Sequence, residues 1–174
     1  MTDARAKQAE QILRVDQAGE FGAVRIYAGQ LAVMGDRAPH SREVAAMAAQ
    51  EEDHRRRFDA MMAQRGVRPT ALAPLWSVAG YALGAATALI GPEAAMACTA
   101  AIETEIDRHY TSQLDALGDS DPELVATITE FRDHEREHKQ AALDAGAERA
   151  PAYPLLSGAI RLGCRLAIRL SERI

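Results

Sequence analysis

Cysteine is scarce in this chain. Cys98 and Cys164 are the only two, far apart along the sequence, and no Cys-x-x-Cys pair occurs. That excludes a disulfide-stapled scaffold, a rubredoxin-type iron site and a four-cysteine zinc site on one chain. Aromatic residues reach only 5%, and Val and Ile are few beside abundant Ala, which disfavours sheet and favours helix. Twelve Gly and seven Pro are too few for a loop-rich fold. Basic excess is missing as well: the net charge is −5, so no nucleic-acid partner is expected. Met1 to Gln11 is polar, with no secretory signal, and a reducing intracellular compartment is the expectation. What remains is 48% apolar and 26% charged over 174 residues, enough for a single domain spanning 1–174 with its own core.

The charge is unevenly placed. Residues 151–174 hold four Arg and one Glu, or +3, which leaves −8 for residues 1–150. Arg161, Arg165, Arg169 and Arg173 recur every four residues, a stripe on a helix whose other faces carry Leu155, Leu156, Ile160, Leu162, Leu166, Ile168, Leu170 and Ile174. The stripe fits an interfacial membrane helix with its cations at anionic headgroups, and equally a helix docked on an acidic protein.

Periodicity and punctuation divide the chain into six helices and no strand. Four long ones are expected at about 3–34, 41–65, 92–117 and 121–145. Ser41 is read as an N-cap, and Asp121 with Pro122 as a cap and first helical residue. An apolar segment at 69–91 connects the halves, and the basic amphipathic helix covers 152–173. From Ala71 to Ile90 there are twenty uncharged residues, the nominal span of a bilayer. Pro74, Gly80, Gly84 and many Ala weaken that reading in favour of a buried crossover helix or a surface dipping into the membrane. Trp76 and Tyr81 suit a membrane interface or a packed core.

Glu-x-x-His occurs twice, at Glu51–His54 and Glu135–His138. Glu20 precedes Glu51 by nearly the same stretch of chain as Glu103 precedes Glu135. The pattern, a lone Glu on one helix and Glu-x-x-His on the next, is therefore repeated, once in each half of the chain and at a nearly constant offset. Each carboxylate falls mid-stripe among core residues: Val44, Met47, Glu51, His54, Phe58 and Met61 share one helix face. Leu124, Ile128, Phe131, Glu135, His138 and Ala142 share another. Leu13, Asp16, Glu20, Val24, Tyr27 and Leu31 make a third, and Met96, Thr99, Glu103, Tyr110 and Leu117 a fourth. Buried unpaired carboxylates are costly, and four beside two histidines call for a large positive charge. One Glu from each of two helices plus Glu-x-x-His from two others is the ligand set of di-iron and di-manganese carboxylate bundles. The expected metal ligands are Glu20, Glu51, His54, Glu103, Glu135 and His138.

Other groups carry less. Glu52 and Asp53 are expected to be solvated, His40 to lie in a loop, and His134 to lie on the surface rather than at the metals. Tyr110, two helical turns after Glu103, reaches either the site or the core. Asp16 either orients a ligand histidine from outside or is solvated. Cys98 and Cys164 read as inert small apolar residues.

Leu13-Arg14-Val15-Asp16, Ala18-Gly19-Glu20 and Arg25-Ile26-Tyr27-Ala28-Gly29-Gln30 resemble the opening of the demethoxyubiquinone hydroxylase family of ubiquinone biosynthesis. The resemblance continues through Arg68-Pro69-Thr70, Pro74-Leu75-Trp76, Ala95-Met96-Ala97-Cys98-Thr99, His109-Tyr110, Phe131-Arg132-Asp133, Ala150-Pro151-Ala152-Tyr153 and Leu170-Ser171-Glu172-Arg173. It covers the chain from about Leu13 to Ile174. It implies a ferritin-like four-helix bundle holding two iron ions on the same six residues. The implied activity is hydroxylation of a polyprenyl-tailed benzoquinol with O2 and reducing equivalents ultimately from NADH. His109 and Tyr110 take the positions of the family's substrate-proximal or electron-transfer pair. A peripheral membrane site is implied, on the cytoplasmic face of a bacterial cell membrane or the matrix side of the mitochondrial inner membrane. A lipid-binding accessory protein and other ubiquinone-synthesis enzymes are the implied partners. No organelle-targeting leader is visible, so a bacterial or mature form is expected. Gln17 stands where the family has His, and His134 where it has an acidic residue. On the spacing alone, a ferroxidase or iron-storage bundle, a peroxidase or manganese catalase, and a non-enzymatic membrane scaffold remain alternatives.

Overall fold

The computed structural model describes residues 3–173, so Ile174 of the basic helix lies outside the described residues. Six α-helices follow one another: α1 (Asp3–Met34), α2 (Ser41–Arg65), α3 (Ala73–Ile90), α4 (Pro92–Leu117), α5 (Pro122–Asp144) and α6 (Tyr153–Ser171). A 3-10 turn, Ala147–Arg149, precedes α6, and no strand occurs among the described residues. The expected all-α bundle is what forms. α1 packs on α2 and α4 on α5, and the two pairs face each other; α3 lies along α1, and α6 along α4.

Helix ends follow local chemistry, with one departure. Asp121 caps α5, its Oδ1 accepting from the Leu124 amide at 3.2 Å, and Pro122 fills the first helical position. Arg65 at the end of α2 reaches over to the same Asp121 and to Glu123 at 3.0 Å, tying the two helix ends together. Ser41 does not cap α2. It is already helical, its hydroxyl is buried without a partner, and the preceding His40 sits in a left-handed conformation with φ 65°. The apolar connection also starts later than expected. A turn in which the Thr70 hydroxyl accepts from the Leu72 amide at 3.3 Å delays α3 to Ala73.

The glycines of α3 have a packing role. A Cβ on Gly84 would lie 1.9 Å from the Ile26 carbonyl oxygen, and one on Gly29 would lie 2.1 Å from the Tyr81 carbonyl oxygen. Without them the α1 and α3 backbones could not approach so closely. α3 is long and apolar enough to cross a membrane by length and composition, and only 22% of it is buried. Its outward face exposes Leu75, Val78, Leu89 and Ile90. α6 exposes Leu155, Leu162, Leu166 and Leu170, and it is fastened to α3 where the Trp76 indole N–H donates to Ser171 Oγ at 3.0 Å.

The core has two apolar parts. One gathers Leu13, Phe58, Met61, Ile106, Leu124, Ile128 and Phe131; the other gathers Ala23, Val44, Met47, Met96, Ala97 and Ala142. On α2 and α5 the residues of these parts fall on opposite sides of Glu51 and Glu135 in sequence, and on α1 and α4 the residues named here divide in the same way about Glu20 and Glu103. The bundle thus carries a polar layer at mid-height.

Candidate metal centre

The repeat places one glutamate of the layer on each long helix, and all four are at most 1% exposed. Their ligand atoms form two overlapping groups. Glu20, Glu51, His54 and Glu135 make one; Glu51, Glu103, Glu135 and His138 make the other, with the atoms of each within 4.8 Å of one another. Glu51 and Glu135 belong to both. His54 Nδ1 points into the first group, 3.3 Å from Glu135 and 3.5 Å from Glu20. His138 Nδ1 points into the second, 3.0 Å from Glu51 and 3.5 Å from Glu135.

The electrostatics are those of a site built around cations. Burial, reinforced by Glu51, raises the Glu20 carboxyl well above its ordinary range, and burial reinforced by Glu135 and Glu51 does the same to Glu103. Burial opposes charge on the histidines, yet the surrounding carboxylates push His54 up to about 12 and His138 up to about 9. Glu51 is held low against its burial by the imidazoles of His138 and His54 beside it. Both oxygens of Glu51 and of Glu135, one each of Glu20 and Glu103, and Nδ1 of both histidines have no hydrogen-bond partner in the fold. Buried polar atoms are ordinarily satisfied, so these lone pairs converging on two points fit a pair of divalent ions with oxygen-rich, imidazole-bearing ligands.

The outer supports obey the same two-fold repeat, and they cross between halves. His54 Nε2 lies 3.0 Å from His134 Nδ1, and His138 Nε2 lies 2.9 Å from Gln50 Oε1. Gln50 and His134 each immediately precede the glutamate of a Glu-x-x-His pair, and each braces the histidine of the other pair. His134 is therefore half-buried beside His54 rather than a surface residue, and the two rings stack with centroids 5.2 Å apart. Tyr110 donates its hydroxyl hydrogen to Glu20, and Tyr27 donates to Glu103 at 2.8 Å. Both tyrosines sit two turns after a glutamate, Tyr27 after Glu20 and Tyr110 after Glu103, and each bonds the other's glutamate. Burial raises both phenols well above their ordinary range, with the facing glutamate adding to it, so both stay protonated as donors. Sequence reasoning placed Tyr27 on the right stripe without assigning it a partner, and it missed Gln50. The offset that carries Glu20 onto Glu103 also carries Tyr27 onto Tyr110, which is the signal that could have found it.

Asp16 does not orient a ligand histidine, nor is it solvated. Its side chain is fully buried, 3.5 Å from His109 Nε2, and its Oδ1 accepts from Gln113 Nε2 at 2.6 Å. The same amide nitrogen lies 2.7 Å from His109 Nε2. Burial raises the Asp16 carboxyl, opposed by His109 and Gln113. Gln17 turns away from the layer to donate to Asp59 at 2.9 Å. His40 lies in the turn before α2, as expected, and Asp53 is exposed. Glu52 is half-buried, paired with Arg55 and Arg56.

A cavity of about 490 Å³ opens beside this centre, walled by α1, α3, α4 and α6. Ile26, Trp76, Leu83, Ile102, Ile160 and Ile168 give it apolar walls, and Asp16, His109, Tyr110 and Cys164 are its ionisable lining. Two arginines of the basic stripe are used inside the fold. Arg161 Nε and Arg165 donate to Glu105 at 2.6 and 3.1 Å, pinning α6 to α4 over the cavity. Glu105, 2% exposed, is a buried anchor that the sequence reading did not single out. Arg169 remains exposed.

Comparison with known proteins gives consistent matches. The family model described as ubiquinone biosynthesis protein COQ7 matches residues 7–171. A 3-demethoxyubiquinol 3-hydroxylase of Rhodospirillum rubrum is 57% identical over 165 residues, 95% of this chain and 78% of the relative. The mitochondrial NADPH-dependent 3-demethoxyubiquinone 3-hydroxylase of Homo sapiens is 52% identical over 169 residues, 95% of this chain and 77% of the relative. The mitochondrial 5-demethoxyubiquinone hydroxylase of Saccharomyces cerevisiae is 42% identical over 190 residues, 100% of this chain and 82% of the relative.

Proposed function

Because the chain belongs to the ubiquinone biosynthesis protein COQ7 family, we propose that it hydroxylates an unsubstituted carbon of a demethoxyubiquinol-type, polyprenyl-tailed ring at a di-iron centre. The observation that carries this reading is the meeting of cavity and centre at one residue: Tyr110 lines the apolar cavity and hydrogen-bonds Glu20. Glu20 with His54 and Glu103 with His138 would hold one iron each, and Glu51 and Glu135 would serve both. Two irons held there supply the activation of O2 that ring hydroxylation needs. The apolar walls exclude water and accept the ring with the first part of its tail. Tyr110 keeps its proton and donates a hydrogen bond to Glu20, fixing that carboxylate's orientation, while His109 and Tyr110 lie next to the bound ring, on the path of its electrons. Reducing equivalents come ultimately from a reduced nicotinamide nucleotide, NADH by the resemblance noted above and NADPH by the name of the human relative.

A membrane surface is the proposed source of substrate. Val78 and Leu89 on α3 and Leu155 on α6 are 70%, 75% and 77% exposed, and their helices form two walls of the cavity. A cavity whose walls carry apolar outer faces can take a lipid-soluble ring without passing it through water. The corresponding location is peripheral, on the cytoplasmic face of a bacterial cell membrane or the matrix face of the mitochondrial inner membrane.

The test is iron loading, anaerobically and in air, followed by single-turnover hydroxylation of a short-tailed demethoxy quinol. A plateau at about two irons per chain and a hydroxylated product are expected. Tyr110→Phe should keep that plateau and lower the hydroxylation rate. Continued iron uptake in air would replace this reading with iron storage, and absence of binding would remove the metal centre altogether.

A further inference from the structure

The two-fold repeat is broken at several positions, and two of the breaks place an ionisable side chain on the cavity wall. The offset that carries Glu20 onto Glu103 also carries Tyr27 onto Tyr110 and Gln30 onto Gln113. It carries Asp16 onto Thr99 and Ile26 onto His109, pairing an ionisable side chain with a neutral one each time. The ligand layer needs symmetry, because it holds two similar ions. A substrate on one side only needs the opposite.

Asp16 has what a one-sided ligand would use. It is a fully buried carboxylate outside the metal set. Gln113 occupies its Oδ1, whereas Oδ2 is buried with no partner in the fold, and the residue lines the cavity. A buried carboxylate oxygen left without a partner is expensive unless a ligand supplies a donor. The neighbouring polar atoms do not supply one. Tyr110 spends its hydroxyl hydrogen on Glu20, and the Gln113 amide nitrogen is engaged by Asp16 Oδ1 and His109 Nε2. With Asp16 ionised, both Asp16 Oδ2 and the Tyr110 oxygen can only accept. A quinol ring offers hydroxyl hydrogens to such acceptors; a quinone ring offers carbonyl oxygens, which would face them lone pair to lone pair.

We propose that Asp16 is the residue that recognises the substrate's redox form, its Oδ2 accepting a hydrogen bond from a ring hydroxyl so that the quinol is bound in preference to the quinone. This rests on the function proposed above and specifies which form of the ring enters. The relatives' names are divided on the point, ubiquinol for Rhodospirillum rubrum and ubiquinone for Homo sapiens and Saccharomyces cerevisiae. A hydrogen bond to a charged acceptor corresponds to a preference of about tenfold or more.

The experiment is calorimetric titration of the full chain, its metal positions filled with redox-inert zinc, with a short-tailed demethoxy ring in each form. It is run without O2 at a mildly alkaline pH, which favours the ionised form of Asp16. Wild-type protein should bind the quinol at least about tenfold more tightly than the quinone. Asp16→Asn, whose amide can turn a donor toward a carbonyl, should bring the ratio to about one or below. Asp16→Thr, which copies the residue of the other half, should abolish the preference too, and it stands in if the Asn variant does not retain its zinc. A ratio near one in the wild type, or one unchanged in both variants, overturns the assignment and leaves the hydroxylase reading intact. If neither form binds, the cavity is not the substrate site and both readings fall.

Discussion

Replacing Gly84 by Ala adds one methyl group at the closest approach of α1 and α3. On an ordinary helix this change stabilises by about 1 kcal/mol, because Ala is the better helix former. Here the new Cβ would lie 1.9 Å from the Ile26 carbonyl oxygen, and the obstacle is backbone rather than a side chain that can swing aside. An ordinary carbon–oxygen contact is about 3.4 Å, so the helices must separate by roughly 1.5 Å at that point. Overpacking of well-packed sites costs about 1–3 kcal/mol, and the upper end applies where neither partner can yield. The net expectation is a loss of about 2 kcal/mol. Gly158→Ala on α6 is the control: nothing lies within 4 Å of its Cβ, so the gain of about 1 kcal/mol should appear undiminished. Urea unfolding followed by circular dichroism should place the variants on opposite sides of wild type, roughly 3 kcal/mol apart, with melting temperatures separated by roughly 6–12 °C. A Gly84→Ala protein as stable as wild type would refute the argument, showing that α3 is not held backbone to backbone on α1.

Metal loading should release protons. In the metal-free protein Glu20 and Glu103 are raised and His54 and His138 are raised, so all four hold protons more tightly than their ordinary values, and cations must displace them. Affinity is therefore expected to rise with pH and fall as pH drops, with about two or more protons released per filled centre at neutral pH; loading in unbuffered solution with a pH indicator measures this, and no release would contradict the assigned protonation. The arginines of α6 should separate by role. Arg169→Glu should weaken binding to anionic liposomes and leave stability unchanged, while Arg161→Glu, which sets a carboxylate against buried Glu105, should lower the melting temperature even without lipid. Co-sedimentation and thermal unfolding read the two, and equal effects from both substitutions would remove the distinction.

The clustering of the candidate ligands was legible because its constraint is local. A Glu and a His three residues apart share a helix face whatever surrounds them, and proline and glycine punctuation fixed helix ends to within a few residues at Pro92, Pro122 and Gly118. What escaped depended on partners from other helices. Asp16 reads as an outer support of a metal site by its position before Glu20, but the imidazole that reaches it is His109 of α4. His134 is about 100° from the face of Glu135 on its own helix, which is why it reads as surface; α2 supplies the contact that buries it. Arg161 and Arg165 lie on a stripe that a membrane or an acidic protein would fit, and only the packing of α6 on α4 reveals that the acidic partner is Glu105 of the same chain. Ser41 failed as a cap because His40 takes the left-handed turn in front of it.

The crossed bracing of the histidines ties the fate of each half to the other. Gln50 belongs to the first Glu-x-x-His helix yet steadies His138, and His134 belongs to the second yet steadies His54. Neither half is therefore a self-sufficient module, though the repeat makes them look interchangeable. A lesion in one half registers at the histidine of the opposite half. Detaching the halves, or exchanging one of them for a diverged copy, would strip support from both histidines at once, so Gln50 and His134 can change only in step with the helix across from them.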